Sequence, residues 1–274
     1  MLPLARATES FTELRSLENR AFAGFFAARA ELNPEWMSFF GSFGMILSFL
    51  YDPDEILSTN LKRCAVETVV SLDPRPTDRH ISRHLCSILD SVGIAVASYA
   101  PVLKFGCRPT PIPRGDQVSL HPGSGSEKKN WALDRWISIL EFLAGRNIPM
   151  TLLSGEADEE RTRHILAGFR SPLLTVVRNR PLLEVATLLQ SARLFIGHDS
   201  GITHLAAALQ APTLALFGPT NPCLWAPANP GTRVLWKNRI WYAENASLLE
   251  LGEISVDENS PELVKAQITE LLEL

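Results

Sequence analysis

The stretch VSLHPGSGSEKKNW, from Val118 to Trp131, decides the fold of this chain. Its first five residues predict a strand, which ends directly at a loop of Gly, Ser and Lys residues. The same order returns in MTLLSGEADEE (Met150–Glu160) and in LFIGHDSGITHLAAAL (Leu194–Leu209), where the loop opens a helix. Short apolar strands that alternate with helices predict a parallel sheet covered on both faces.

Two further apolar runs, LLTVV (Leu173–Val177) and TLALFG (Thr213–Gly218), predict more strands of the same sheet. Helices are predicted after the strands, and the chain ends on an amphipathic, acidic helix. The predicted helices are Asp134–Ala144, Glu156–Gly168, Leu182–Leu189, one that begins near Gly201, and Glu262–Leu274.

Residues 1–105 repeat this alternation less regularly. The helical spacing of apolar residues predicts a helix over Thr12–Ala30. The runs MILSFL (Met45–Leu50) and VETVVSL (Val66–Leu72) predict two strands, and His80–Val92 predicts a helix.

The segment Asp52-Pro53-Asp54-Glu55 admits two interpretations. An Asp N-cap, a Pro at the first position and a Glu at the third are the residues of a helix start. The alternative is a metal-binding Asp-x-Asp motif. We favour the helix start, because capping accounts for both aspartates.

The stretch Ala100–Asp116 contains four prolines and two glycines and predicts an interdomain linker. The predicted organisation is an N-terminal domain at 1–105, a linker at 106–116 and a C-terminal domain at 117–274. The last helix is a candidate to pack back on the N-terminal domain.

Composition excludes several classes of protein. With 46% hydrophobic residues and a mean hydropathy of +0.05, the 274-residue chain can bury a core. A net charge of −4 provides no basic field for nucleic acid. No apolar run approaches the roughly 20 residues of a membrane-spanning helix, and the four cysteines match no zinc spacing.

Ligands of an open parallel sheet bind at the carboxyl ends of its strands. In the loop after the first strand of the C-terminal domain, Ser124, Gly125 and Ser126 allow backbone amides and hydroxyls to approach a phosphate. Lys128 or Lys129 would neutralise its charge. The alternative is a flexible loop with solvated lysines, and the loop lacks the Gly-Lys-Ser/Thr end of a Walker A motif.

Two more loops lie at such strand ends. The acidic residues around Glu159 either stabilise a helix N-terminus or bind ribose hydroxyls. Ser200 and Gly201 open a helix whose free amides favour an anion. For Asp199 the alternative is a simple N-cap, and for His204 a structural histidine.

Taken together, the motifs resemble those of the family 9 glycosyltransferases. The resemblance rests on HPGSG-x(3)-K-x-W at His121–Trp131, Gly-x-x-x-Glu at Gly155–Glu159, DSG-x-x-H-x-AAAL at Asp199–Leu209 and LFGPTNP at Leu216–Pro222. It covers residues 117–226, and the motifs are specific in combination.

This resemblance implies an α/β fold of GT-B type, with two Rossmann-like domains built on parallel sheets. It implies inverting, metal-independent transfer of a sugar from a nucleotide-diphosphate donor, typically ADP-heptose, to a lipid-linked lipopolysaccharide core oligosaccharide, without a cofactor. The expected location is the bacterial cytoplasm, with peripheral contact at the inner face of the cytoplasmic membrane left open. The positions that the resemblance assigns to donor binding are Ser124, Gly125, Lys129, Glu159, Asp199, Ser200, Gly201 and His204.

One departure concerns the catalytic base. The family opens with a strand that ends in a Gly-Asp loop, and the sequence has no such opening, so the N-terminal domain is expected to be incomplete and the base stays unassigned. A truncated transferase and an inactive nucleotide-sugar-binding remnant, or partner subunit, are therefore both open. An epimerase on the same scaffold is disfavoured, because it needs further acid and base residues that the sequence does not place.

Overall fold

The computed structural model describes residues 2–105, 114–241 and 254–273. The chain divides into two compact units. The smaller comprises residues 11–99, and the larger comprises residues 3–10 and 100–274. Most of the expected linker, 106–113, lies outside the described residues, so its limits stay a prediction.

The smaller unit contains a parallel pair of strands, as predicted. Strand β1 (Met45–Ser48) pairs with β2 (Thr68–Ser71), and Met45 lies opposite Thr68. Its core holds aromatic side chains of Phe22, Phe25 and Trp36. In chain order, with α1 (Leu2–Ala7) preceding this unit, its helices are α2 (Pro34–Gly41), α3 (Ile56–Lys62) and α4 (Ile81–Asp90).

The predicted helix over Thr12–Ala30 is wrong. The only helical residues in this range form a short 3-10 helix, Arg20–Phe26. The side chain of Asn19 accepts the backbone N–H of Ala21, which starts the turn there. Phe22 and Phe25, three residues apart, share one face of a 3-10 helix, so both are buried.

The helix start at Asp52 is confirmed in its chemistry and wrong in its position. Helix α3 begins at Ile56, and Pro53 lies outside it. The carboxylate of Asp52 nevertheless accepts the backbone N–H groups of Leu57 and Ser58, at 3.0 and 2.8 Å. Burial raises the pKa of Asp52, but the bonds from Ser58 and the helix amides outweigh it and leave that pKa lowered.

The larger unit is built on a sheet of seven strands: β3 Val118–His121, β4 Met150–Ser154, β5 Leu174–Arg178, β6 Leu194–His198, β7 Thr213–Leu216, β8 Thr232–Trp236 and β9 Arg239–Trp241. Their order in the sheet is β5-β4-β3-β6-β7-β8-β9. The first six strands in this order are parallel, and β9 pairs antiparallel with β8. Strands β3 to β7 were predicted, whereas β8 and β9 were not.

Helices cover both faces of this sheet, as the sequence predicts. Consecutive residues of β4 point to opposite faces of the sheet and enter two different hydrophobic clusters. Leu152 packs in the first cluster and Leu153 in the second. Helices α5 (Leu133–Ala144), α6 (Glu159–Gly168) and α10 (Pro261–Leu272) contribute to the first cluster, and α1, α7 (Leu182–Ser191) and α8 (Gly201–Ala208) to the second. A short helix, α9 (Pro222–Trp225), follows β7. The buried residues of α10 thus lie in the core of the larger unit.

The strand order has a consequence for ligand binding. From β3 the chain runs outward through β4 and β5, and then returns to the other side of β3 as β6. The order therefore reverses between β3 and β6. In doubly wound sheets, the crevice at the carboxyl ends of these two strands is where ligands bind.

Candidate functional site

The loop after β3 leaves the sheet at the reversal point of the strand order. Its tip is held by a local turn, in which the hydroxyl of Ser124 donates to the carbonyl of Ser126 at 2.7 Å. Gly125 is exposed, and a Cβ added there would meet nothing within 4 Å. A short 3-10 helix, Glu127–Lys129, then brings Lys129 back toward the sheet. The tip thus leaves backbone open to an approaching group.

Beneath this loop lies a buried pair that the sequence reasoning missed. His121 Nε2 is 3.0 Å from Oδ2 of Asp158, and both side chains are at least nine-tenths buried. Burial alone would raise the pKa of Asp158. The hydrogen bond from His121 and the nearby charges have the larger effect, so the net pKa is lowered. A Cβ at Gly123 would lie 1.8 Å from Oδ1 of Asp158, so only glycine fits at this position.

The loop after β6 opens helix α8. Ser200 is the N-cap residue, and its hydroxyl accepts the backbone N–H of Thr203 at 3.5 Å. The alternative interpretation of Asp199 as the N-cap is therefore wrong. Gly201 is exposed with open space around it. The first turn of α8 thus presents free backbone amides, which favour an anion.

Asp199 joins the two loops. Its Oδ2 lies 2.6 Å from Nζ of Lys129, and its Oδ1 lies 3.7 Å from Nε2 of His204. Burial raises the pKa of Asp199, but His204, Lys129 and Thr220 stabilise the anion more strongly, so the net pKa is lowered. An ionised carboxylate therefore holds two basic side chains beside the N-terminus of α8.

His198, the last residue of β6, is a second link between the two loops. Its Nε2 accepts the backbone N–H of Trp131 at 2.9 Å. Complete burial, with the nearby His121 and Arg161, lowers the pKa of His198 to about 3. The ring is therefore neutral, which is the state that can accept this bond. In the sequence, the position of His198 at the end of an apolar strand was the only signal of a buried role.

The C-terminal segment fixes the loop after β7. Asn259 is fully buried, and its side-chain amide donates to the carbonyl of Phe217 at 2.9 Å. Its own carbonyl accepts the indole N–H of Trp131 at 3.0 Å. A Cβ at Gly218 would lie 2.6 Å from the backbone nitrogen of Val256, so this loop packs directly on the segment.

The structure thus brings Lys129, Asp199 and His204 together from two distant loops. Ser200 and Gly201 follow Asp199 directly, whereas the hydroxyl of Ser124 is turned toward its own loop. Glu159 is exposed at the first position of α6. The residues missed were His121, Asp158, Arg161 and His198, and only the buried strand ends at His121 and His198 offered a signal.

A separate cavity of about 370 Å³ lies in the smaller unit, at the carboxyl ends of β1 and β2. Its lining includes Tyr51, Asp52, Ser58 and Asp73. Among the described residues, no group of three or more His, Cys, Asp or Glu side chains could hold a metal ion. In the same part of the chain, no helix is long and apolar enough to cross a membrane.

A doubly wound parallel sheet, whose strand order reverses between β3 and β6, defines an α/β protein of Rossmann-like class. The sequence model of glycosyltransferase family 9 (heptosyltransferase) matches residues 106–249, which is more than half of the chain. The chain therefore belongs to glycosyltransferase family 9.

Two relatives illustrate the sequence match. Lipopolysaccharide heptosyltransferase 1 of Pseudomonas aeruginosa is 39% identical over 106 residues, which cover 38% of this chain and 29% of that protein. Lipopolysaccharide heptosyltransferase 1 of Escherichia coli K12 is 30% identical over 115 residues, covering 42% of this chain and 35% of that protein. The matched segment is thus well under half the length of these relatives.

Solved structures extend the likeness to more of the chain. A family 9 glycosyltransferase from Veillonella parvula superposes with a TM-score of 0.64 at 19% identity, over 84% of this chain and 74% of that one. The E. coli ADP-heptose lipopolysaccharide heptosyltransferase II gives 0.62 at 18% identity, over 87% and 80%. The E. coli heptosyltransferase WaaC with ADP also gives 0.62 at 18%, over 83% and 72%. These similarities establish the fold, which is α/β of GT-B type.

Proposed function

We propose that this protein binds a nucleotide-diphosphate sugar, with ADP-heptose as the donor, and transfers the sugar with inversion to a lipid-linked lipopolysaccharide core oligosaccharide. The observation that carries the proposal is the contact of Lys129 with Asp199 beside the N-terminus of α8. The relatives named lipopolysaccharide heptosyltransferase and the E. coli structure with ADP support this choice of donor and acceptor.

The proposed role of the site is to stabilise the leaving diphosphate. As the bond to the anomeric carbon breaks, negative charge grows on the diphosphate oxygens. The amides of Ser200, Gly201 and the following turn, together with Lys129, would face that charge. Preorganised donors of this kind act most strongly in a partly buried site. In this proposal they replace the metal ion that other transferases use to hold a diphosphate.

The remaining residues take supporting roles in the proposal. Backbone amides at Ser124 and Gly125 would bind the phosphates, and Glu159 would accept bonds from ribose hydroxyls. Asp199 is held as the anion, so it has no proton to donate. Its role is to orient Lys129 and His204 toward the donor.

The proposed acceptor sets the place of action. A lipid-linked oligosaccharide lies at a membrane surface, so we place the protein on the cytoplasmic side, in peripheral contact with the inner face of the membrane. The proposed domain division assigns residues 1–105 to the acceptor side and residues 117–274 to the donor.

A transfer assay tests the proposal. The purified protein is incubated with ADP-heptose and a Kdo-containing lipid acceptor with and without EDTA, and ADP release and product mass are measured. A separate calorimetric titration measures ADP binding. Transfer at an undiminished rate in EDTA is expected. ADP binding without transfer would support instead an inactive nucleotide-sugar-binding protein, and the absence of ADP binding would contradict both.

The role of Lys129 is tested by a pair of neighbouring variants. Lys129→Ala is expected to weaken ADP binding by about tenfold or more, because it removes a charge-assisted contact with the diphosphate. Lys128→Ala removes an exposed lysine next to it and should bind ADP like the wild type. Equal affinities for the two variants would contradict the assignment of Lys129.

A further inference from the structure

The guanidinium of Arg161, in the first turn of α6, contacts both ends of the loop that joins β3 to α5. Its Nε donates to the carbonyl of Pro122 at 3.3 Å, and its Nη2 donates to the carbonyl of Trp131 at 2.5 Å. A planar, rigid group that bonds two carbonyls fixes the distance between them. Arg161 therefore closes the loop between these residues.

These two bonds, rather than the nearby ion pair, account for the position of Arg161. Its Nη1 lies 3.4 Å from the carboxylate of Glu127, but the Glu127 side chain is 82% exposed. Ion pairs with so exposed a partner contribute little. The Arg161 side chain is itself only 16% exposed, and its Nε and Nη2 donors bond the two loop carbonyls.

The loop that Arg161 closes carries the proposed phosphate-binding residues. Ser124 follows Pro122 by two residues, and Lys129 precedes Trp131 by two. Between them, the hydrogen bonds of the tip run within the loop, from Ser124 to Ser126. The positions of the two ends therefore help to set where the backbone at Ser124 and Lys129 lies, while the contact with Asp199 holds the Lys129 side chain.

Asp158 attaches the same helix end to the base of the loop. It bonds His121 at 3.0 Å and fills the space where any side chain at Gly123 would stand. Glu159, the proposed ribose-binding residue, is its direct neighbour. The first turn of α6 thus holds the diphosphate loop and also carries the ribose-binding carboxylate.

We propose that Arg161 is a positioning residue for the donor diphosphate, which acts by holding the Ser124 and Lys129 ends of the loop at the separation that a diphosphate requires. The inference rests on the proposed function of this loop. Loss of Arg161 removes affinity that comes from the phosphates and leaves affinity that comes from the nucleoside. A merely structural role would change both alike.

The test compares adenosine, AMP and ADP as ligands of the wild type and of Arg161→Ala, Arg161→Lys and Arg163→Ala. Calorimetry measures ADP and AMP, and ligand-observed NMR measures adenosine. Arg163 is the matched control, because its side chain is 71% exposed and pairs with Glu160 on the same helix. Lysine at 161 keeps the charge but cannot bridge two carbonyls in one plane.

We expect Arg161→Ala to weaken ADP binding by about tenfold or more while adenosine binding changes less than about twofold. Arg161→Lys should show the same pattern more weakly. If Arg161→Ala does not fold, the binding of the three ligands to Arg161→Lys tests the proposal instead. Arg163→Ala should match the wild type. Unchanged ADP binding in Arg161→Ala, or equal losses for all three ligands, would overturn the inference and leave the proposed function standing. A wild type that does not bind ADP would contradict the proposed function itself.

Discussion

Asp199 stands at the positive end of helix α8 with two basic neighbours, and this setting explains its ionised state. Its side chain is only 9% exposed, so burial alone would favour the neutral acid. Lys129, His204 and Thr220 reverse that preference and lower its pKa. The carboxylate thus orders the basic side chains that the proposed donor meets.

Replacing Asp199 tests this balance. Asp199→Asn is expected to lower the free energy of unfolding by about 1–3 kcal/mol at pH 7, because it removes charge-assisted bonds. The folded-state pKa lies below the unfolded value of about 3.9, so the stabilisation is complete above that pH and is lost as the pH falls through the folded pKa. Urea unfolding of both proteins between pH 3 and 7 measures it, with exposed Asp116→Asn as the control. A difference that stays constant over this range would contradict the account.

Two glycines of one loop are expected to differ in what they support. Gly123→Ala places a Cβ 1.8 Å from Asp158 and should lower the free energy of unfolding by about 1–3 kcal/mol. Gly125→Ala meets nothing within 4 Å and should leave stability unchanged, while it weakens ADP binding by obstructing the proposed approach of phosphate. Thermal unfolding and calorimetric titration measure the two effects. A stability loss in Gly125→Ala equal to that in Gly123→Ala would contradict this assignment.

At the scale of elements, the buried bond between His198 and Trp131 joins β6 to the start of α5. His198→Ala is expected to cost about 1–3 kcal/mol of unfolding free energy, because the N–H of Trp131 loses its buried partner. The matched control is His164→Ala, on the exposed face of α6. Equal stability of the two variants would contradict the proposed link.

The same histidine predicts a pH dependence. Its folded-state pKa of about 3 lies below the ordinary value of about 6.5. Its neutral form therefore contributes fully above pH 6.5, and this contribution is lost as the pH falls toward 3. Wild-type stability should fall by roughly 3 kcal/mol between pH 6.5 and 4 through this group. Chemical unfolding across this range measures it, and an equal fall in His198→Ala would assign the effect elsewhere.

The elements that the sequence predicted well are those whose signal is local. Strands β3 to β7 are short, mainly apolar runs, and each was found. The helix over Thr12–Ala30 failed, because a residue spacing of three also fits a 3-10 helix and Asn19 starts one. Strands β8 and β9 were missed because no helix separates them. They form an antiparallel pair, which departs from the alternation of strand and helix on which the prediction relied.

In the candidate site too, the features with a local signal were predicted from the sequence and the long-range contacts were not. The sequence predicted that Lys129 and Asp199 lie at the same edge of the sheet. Lys129 follows β3 and Asp199 follows β6, and the carboxyl ends of parallel strands meet at one edge. The contacts of His121 with Asp158 and of Trp131 with His198 join residues 37 and 67 positions apart. Such pairs depend on the register of the packed helices and strands, which no local pattern encodes.

At the scale of the whole molecule, the two units carry different kinds of site. The larger holds the loops proposed to bind the donor, and the smaller holds a polar cavity at the ends of β1 and β2. A ligand that binds only the folded larger unit stabilises it by RT ln(1 + [L]/Kd), which is about 2.7 kcal/mol at a hundredfold excess over Kd. ADP is therefore expected to protect the larger unit selectively.

Hydrogen–deuterium exchange with and without ADP tests the central claim most directly, because it locates the bound nucleotide along the chain. The account predicts slower exchange in peptides that cover residues 121–131, 155–161 and 198–204, and unchanged exchange in residues 45–71. Lys129→Ala at the same ADP concentration should lose most of this protection. Protection confined to residues 45–71, or wild-type protection in Lys129→Ala, would contradict the assignment of the diphosphate site to the loops after β3 and β6.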